Sequence, residues 1–267
     1  MAALAVLGGV VVTTGSDRDC VNCAVASARV QPSAATPSGP AELTVKPLPG
    51  AEEVDPLARV LVTAQTGGLS SVTMVNENGK DIPGIMTPDN QAWKPAEQLG
   101  YGHTYTMTIA ARGPGGMPTR QTSSFTTLMP TSQTQVYFNT TGGNLLAEGA
   151  TYGVGMVIVA HFDEPITNKA SAERNLKVVT EPIVQGSWYW VDDYNAHWRP
   201  EKYWAPGTSV TVKANIFGVP MGNDLYGQSD ETVSFKIGDA HVSVADDKTK
   251  QVSVFENVGM VRTSLPT

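Results

Sequence analysis

Few side chains in this sequence have the reactivity for covalent or acid–base chemistry: two cysteines, Cys20 and Cys23, and four histidines, His103, His161, His197 and His241. A lone C-x-x-C suits a redox pair, half of a zinc site or a point of lipid attachment. Redox use needs a βα context and zinc needs two further ligands at suitable spacing, and neither accompanies this pair. Lipid attachment at Cys20 or Cys23 would normally follow small apolar residues, where this chain has "DRD" and "CVN". His161 opens "HFDE", one imidazole with two acids, but it closes the apolar run "MVIVA", where a hydrogen-bonded histidine at a strand end is expected rather than a general base. Asp192 and Asp193 are paired carboxylates in a turn sequence, where aspartate is favoured because it bonds the backbone. His103 and His241 have no evident partner, and four scattered histidines do not make a metal cluster. The expectation is no catalytic residue, no metal site and no cofactor.

Stacking is the other chemistry on offer. Four of the five tryptophans (Trp188, Trp190, Trp198 and Trp204) lie between positions 188 and 204, with Tyr189, Tyr194 and Tyr203 among them. Such a cluster is either a ligand platform or the interior of a small β-domain. Alternation puts Trp188 and Trp190 on one face of a strand and Tyr189 and Val191 on the other. A four-residue turn over "DDYN" sets Trp190 opposite His197 and Tyr189 opposite Trp198, though a slip of one residue exchanges the faces. Trp188, Tyr189, Trp190, Tyr203 and Trp204 are the candidate contact residues. Because aromatics are enriched at interfaces, contact with a neighbouring domain is preferred to a carbohydrate platform.

The elements that must position these residues are short strands. Charged residues make up 16% of the 267, below the roughly 25% of an average globular protein, and Gly and Pro are frequent. A net charge of −7 without any run of Lys or Arg excludes a nucleic-acid footprint. Residues 1–28 read as an export signal: the apolar run "AALAVLGGVVV" is too short to span a bilayer, and Ala26-Ser27-Ala28 could be cleaved. Membrane contact is expected through this segment alone, and the location is the cell envelope. Residues 29–42 have a Pro/Ala/Ser linker composition.

Beyond the linker, alternating runs such as "RVLVT", "SVTMVN", "TYTMTIAA", "GMVIVAHF" and "SVTVKANI" predict strands, and only "NKASAERNL" looks helical. An internal repeat at an offset of 105 organises them. "WKP" at Trp93 matches "WRP" at Trp198; Gly102 matches Gly207, and Tyr105, Met107 and Ile109 match Val210, Val212 and Ala214. At Val72 and Met74 the match fades. A tryptophan at one place in both copies points to a shared core position for Trp93 and Trp198. The fold expected is all-β: immunoglobulin-like sandwiches over residues 43–128 and 133–238, then a strand–turn–strand pattern over residues 239–267.

Several stretches carry a resemblance: "VTMVNENGK", "EQLGYGHTYT", "FDEPITNKASAERNLKV", "WRPEKYWAPGT" and "ADDKTKQVSV". In this order they resemble actinobacterial L,D-transpeptidases, which carry two immunoglobulin-like domains ahead of a catalytic domain. The resemblance implies that residues 239–267 are the incomplete start of that catalytic domain. It further implies a cysteine nucleophile, activated by histidine, that makes 3→3 peptidoglycan cross-links. The family's Ser-His-Gly-Cys motif matches no position here, so no catalytic residue carries over and inactivity is expected of this chain alone. The function expected is a stalk and docking surface for a transpeptidase catalytic domain, with peptidoglycan as the other partner. The alternative is a stand-alone envelope module binding peptidoglycan or a protein.

Overall fold

Alternating apolar residues punctuated by Gly, Pro, Asn and Asp produce strands nearly throughout. The computed structural model describes residues 39–257 and 259–264, with side chains as far as residue 257. The export-like segment, most of the linker, Cys20 and Cys23 lie outside the described residues.

The first sandwich pairs two four-stranded sheets. One is ordered β1 (Leu43–Lys46), β3 (Leu61–Ala64), β6 (Ala92–Pro95), β5 (Gly84–Met86); the other β2 (Ala51–Val54), β8 (Pro118–Thr127), β7 (Thr104–Arg112), β4 (Gly68–Asn76). The second repeats the plan. Its sheets are β10 (Val136–Asn139), β12 (Ile158–Phe162), β15 (Asn195–Pro200), β14 (Gly186–Trp190) and β11 (Thr151–Tyr152), β19 (Glu231–Ile237), β16 (Ser209–Ala214), β13 (Leu176–Glu181). In both copies one pair is parallel, β2 with β8 and β11 with β19. The sequence repeat is therefore a repeat of topology.

Burial follows the repeat. Trp93 and Trp198 are both buried, as are Tyr105, Met107 and Ile109 in one copy and Val210, Val212 and Ala214 in the other. Tyr105 stands opposite Phe125 and Val210 opposite Phe235, so the same rung of the ladder fills each core. Where the match faded, the cause is a slip of one residue. Met74 pairs with Met107 while Val178, not Val179, pairs with Val212, so this strand repeats at 104 rather than 105. Each tryptophan lies over a glycine of the neighbouring strand. A Cβ on Gly84 would sit 2.1 Å from the Trp93 ring, and one on Gly186 2.4 Å from the Trp198 ring. Only glycine permits that approach.

The helical segment is α1 (Lys169–Asn175), capped by Asn168, whose side chain accepts from the Ser171 amide at 3.2 Å. A small sheet of β9 (Ser132–Thr134), β18 (Leu225–Gly227) and β17 (Pro220–Gly222) adjoins the second sandwich, with Met221 and Leu225 in that sandwich's core. The last segment forms an antiparallel sheet of β20 (His241–Asp246), β21 (Gln251–Glu256) and β22 (Gly259–Ser264), as its alternation predicts. Val242 and Val244 of β20 are exposed.

Candidate functional site

The aromatic segment divides into interior and surface. Strands β14 and β15 pair with Trp188 opposite Trp198, Tyr189 opposite His197 and Trp190 opposite Ala196. This is one residue away from the register expected of a turn over "DDYN". The amide of Val191 donates to the Asn195 carbonyl, so Val191 faces Asn195 and the loop is three residues, Asp192 to Tyr194, instead of four. Trp188 packs against the core in the place that Met86 takes in the first copy, each being opposite the repeated tryptophan, Trp198 or Trp93.

Trp204 and Trp190 correct the expectation of free contact residues. Trp204 is 2% exposed, packs its ring at a tilt against Trp198 with centroids 5.2 Å apart and donates its indole N–H to the Met156 carbonyl at 2.8 Å. Both its apolar body and its polar handle are satisfied inside the second sandwich. Trp190 stacks on Phe162 at 5.7 Å, donates to Glu173 Oε1 at 2.7 Å and carries the Lys169 ammonium 5.4 Å above its ring. Lys169 also pairs with Asp193 at 2.7 Å. Trp190 thus clamps the hairpin tip to α1. Tyr189 and Tyr203 are the surface members, 71% and 80% exposed. Tyr203 lines a groove of about 380 Å³ with Val154, Met156, Arg199 and Lys202.

The remaining sequence candidates have structural partners. Asp192 accepts from the amides of Tyr194 and Asn195, at 2.7 and 2.8 Å, and its own turn thereby holds its carboxyl below the usual range, with the Asn195 side chain as the largest influence. His161 is on β12, an interior strand rather than an edge, with Nδ1 2.9 Å from Asn195 Oδ1. His103, expected to lack a partner, lies 2.7 Å from Glu77. His241 is exposed. Among the described residues, no group of three or more His, Cys, Asp and Glu is placed to hold a metal.

What sequence reasoning missed is the joint between the sandwiches. Tyr101, in the β6–β7 connection, inserts into a socket of the second sandwich. Its hydroxyl donates to the Gly227 carbonyl at 2.8 Å and accepts from the Gly218 amide at 2.7 Å. Its ring lies 4.8 Å from Phe217 and 6.4 Å from Tyr226. Leu57 closes over Gly218, where a Cβ would fall 2.6 Å from the leucine Cγ. Nearby, Asp224 accepts from both the amide and the hydroxyl of Thr131. Burial raises the Tyr101 phenol above its ordinary pKa, which keeps the hydroxyl protonated as a donor. The contact between the sandwiches is made by these residues rather than by the aromatic segment.

With this geometry established, comparison with known proteins gives a consistent picture. The family model described as "Bacterial Ig domain" matches residues 51–220, across both sandwiches. L,D-transpeptidase 2 of Mycobacterium tuberculosis (strain CDC 1551 / Oshkosh) is 40% identical over 226 residues, covering 85% of this chain and 53% of that protein. L,D-transpeptidase 5 of Mycobacterium tuberculosis (strain ATCC 25618 / H37Rv) is 34% identical, covering 82% and 48%. The chain spans about half the length of these curated relatives. The crystal structure of Mycobacterium tuberculosis L,D-transpeptidase 1 aligns at 28% identity with a TM-score of 0.33, covering 45% of this chain and 50% of that one. The chain belongs to the bacterial Ig domain family, and its homologues are mycobacterial L,D-transpeptidases.

Proposed function

We propose that the two sandwiches are the rigid spacer of an exported, cell-envelope L,D-transpeptidase, holding a catalytic domain at a set distance within peptidoglycan. The observation that carries this reading is the Tyr101 socket. A flexible tether needs no partner for its end residues, whereas here a phenol hydroxyl spends both donor and acceptor across the joint. Two sandwiches fixed in this way set a reach and a direction, which suits an enzyme whose substrate is a wall rather than a solute. Strands β20 to β22 continue from the second sandwich and present Val242 and Val244 outward, a surface for further chain to pack upon.

The test is made in cells that produce the protein as encoded. Fractionation should recover it with the envelope, and Tyr101→Ala should change the proportion of 3→3 cross-linked muropeptides without lowering the amount of protein. Recovery in the cytosol, or muropeptides identical in wild type and variant, contradicts the reading.

A further inference from the structure

The outward face of one sheet in the second sandwich carries chemistry that the fold does not require. Phe138, Ile158, Ala160, Ala196 and Trp198 of β10, β12 and β15 turn to the core, so the residues between them face outward. One row crosses all four strands: Asn139 opposite Val159, Val159 opposite His197, His197 opposite Tyr189. The next row holds Tyr137, His161 and Asn195. Here lies a cleft of about 330 Å³ whose lining includes Asn139, Thr140, Thr141, His161, Asn195 and His197.

The polar groups of this cleft are held in fixed orientations. Asn195 Nδ2 donates to both carboxylate oxygens of Asp192 at 2.9 Å, which turns the Asn195 carbonyl oxygen towards His161 Nδ1, also at 2.9 Å. That nitrogen must carry the proton, and Nε2 is left as an acceptor. The Asn139 side-chain oxygen is buried and has no hydrogen-bond partner; turning the amide over would put an unpaired donor in the same place. Burial first, then the Arg199 cation, hold His197 below the ordinary imidazole range, against the opposite pull of Asp192. No residue lining this cleft carries a permanent charge.

The first sandwich serves as an internal control. In its equivalent sheet, aligned on the rung of Val62 with Trp93 and Ile158 with Trp198, Thr44 takes the place of Asn139, Thr63 that of Val159 and Ala92 that of His197. The same topology closes without the imidazoles or the unpaired amide, so neither packing nor register explains them.

We propose that this cleft binds an uncharged oligosaccharide, with sugar hydroxyls bonded to Asn139, His161 and His197 and one sugar face laid on Tyr189. Neutral donors and acceptors beside an exposed aromatic ring match a ligand with many hydroxyls and an apolar C–H face. An anion would find no cation among the lining residues. The binding role goes beyond the spacer reading and does not depend on it, since rigidity at Tyr101 is measured separately.

The experiment is an NMR titration of the full chain with chitotetraose, a soluble oligomer of N-acetylglucosamine, and in parallel with maltotetraose. The ring signals of His161 and His197 should shift and saturate, with those of His103 and His241 unmoved. Tyr189→Ala, at an exposed position, and Asn139→Ala should each weaken affinity about tenfold, or about 1.4 kcal/mol, while Tyr203→Ala should not. Saturable binding of either saccharide supports the proposal, and preference for chitotetraose narrows its class. Shifts that fail to saturate by about 10 mM, well beyond a millimolar dissociation constant, overturn it. So does an affinity unchanged in Tyr189→Ala. A parallel titration with Zn2+ that moves both histidines while neither saccharide does would make the cleft a metal site and refute the proposal.

Discussion

Replacing Tyr101 by Phe removes one oxygen atom and tests the joint with little else disturbed. The ring, 4.8 Å from Phe217, is kept. Two hydrogen bonds are lost, at 2.7 and 2.8 Å, leaving the Gly218 amide and the Gly227 carbonyl unpaired. Each such bond contributes about 1 kcal/mol net. Tyr101 is only partly buried, so water can replace some of this, and the expected loss of coupling is roughly 1–2 kcal/mol. Tyr101→Ala removes the ring as well and should cost about 3–5 kcal/mol. The assay uses fluorotryptophan NMR during urea unfolding, because Trp93 reports on the first sandwich and Trp188, Trp190, Trp198 and Trp204 on the second. In the wild type the five signals should disappear together; in Tyr101→Ala the Trp93 signal should part from the others, and Tyr101→Phe should fall between. Five signals that still vanish together at an unchanged midpoint in Tyr101→Ala would refute the reasoning. The joint should also loosen in alkali. A phenol whose pKa is raised on folding adds stability that is complete below about pH 10 and is lost as pH climbs through the raised value. Tyr105 has the same sign of shift, so the measure is the difference between wild type and Tyr101→Phe.

Three further outcomes concern the second sandwich. Trp204→Ala should destabilise the second sandwich by about 3–5 kcal/mol in urea unfolding, since it removes a buried indole and its bond to Met156; a loss under about 1 kcal/mol would place Trp204 outside the core. Gly186→Ala should cost about 1–3 kcal/mol by forcing a methyl against Trp198, whereas Gly153→Ala, with open space around it, should be neutral or slightly stabilising. His197 has its pKa lowered on folding, so the unfolded chain binds the proton more readily and stability declines as pH falls below about 6.5. His197→Asn should flatten that decline, and an unchanged pH profile would contradict the assignment.

The strands and the repeat were legible because one face of each strand is buried, which imposes a period of two that sequence displays directly. Trp93 and Trp198 could be assigned to the core on register alone. Trp204 was equally legible in principle: the offset of 105 sets it on Leu99, which is also buried, and proximity to other aromatics obscured that match. The β14–β15 register was not legible, since it depends on whether the turn ends at Tyr194 or Asn195, a choice made by bonds within and beside the turn. The slip from 105 to 104 in β13 likewise leaves no local mark. Tyr101 was missed for a different reason. Its partners lie 117 and 126 residues away, and nothing periodic links a loop to a distant socket. The available signal was its setting, Gly100-Tyr101-Gly102, a large amphipathic side chain between two glycines at the end of a sandwich. The cleft beside His161 and His197 was hidden by the same dependence on register, because scattered histidines become neighbours only once β12 and β15 are aligned.

Residual dipolar couplings give the most direct test of the spacer account. Measured on the full chain in a dilute aligning medium, amide couplings from residues 43–127 and from residues 136–237 should fit a single alignment tensor in the wild type and require two in Tyr101→Ala. Two tensors of different magnitude already in the wild-type protein would contradict the account.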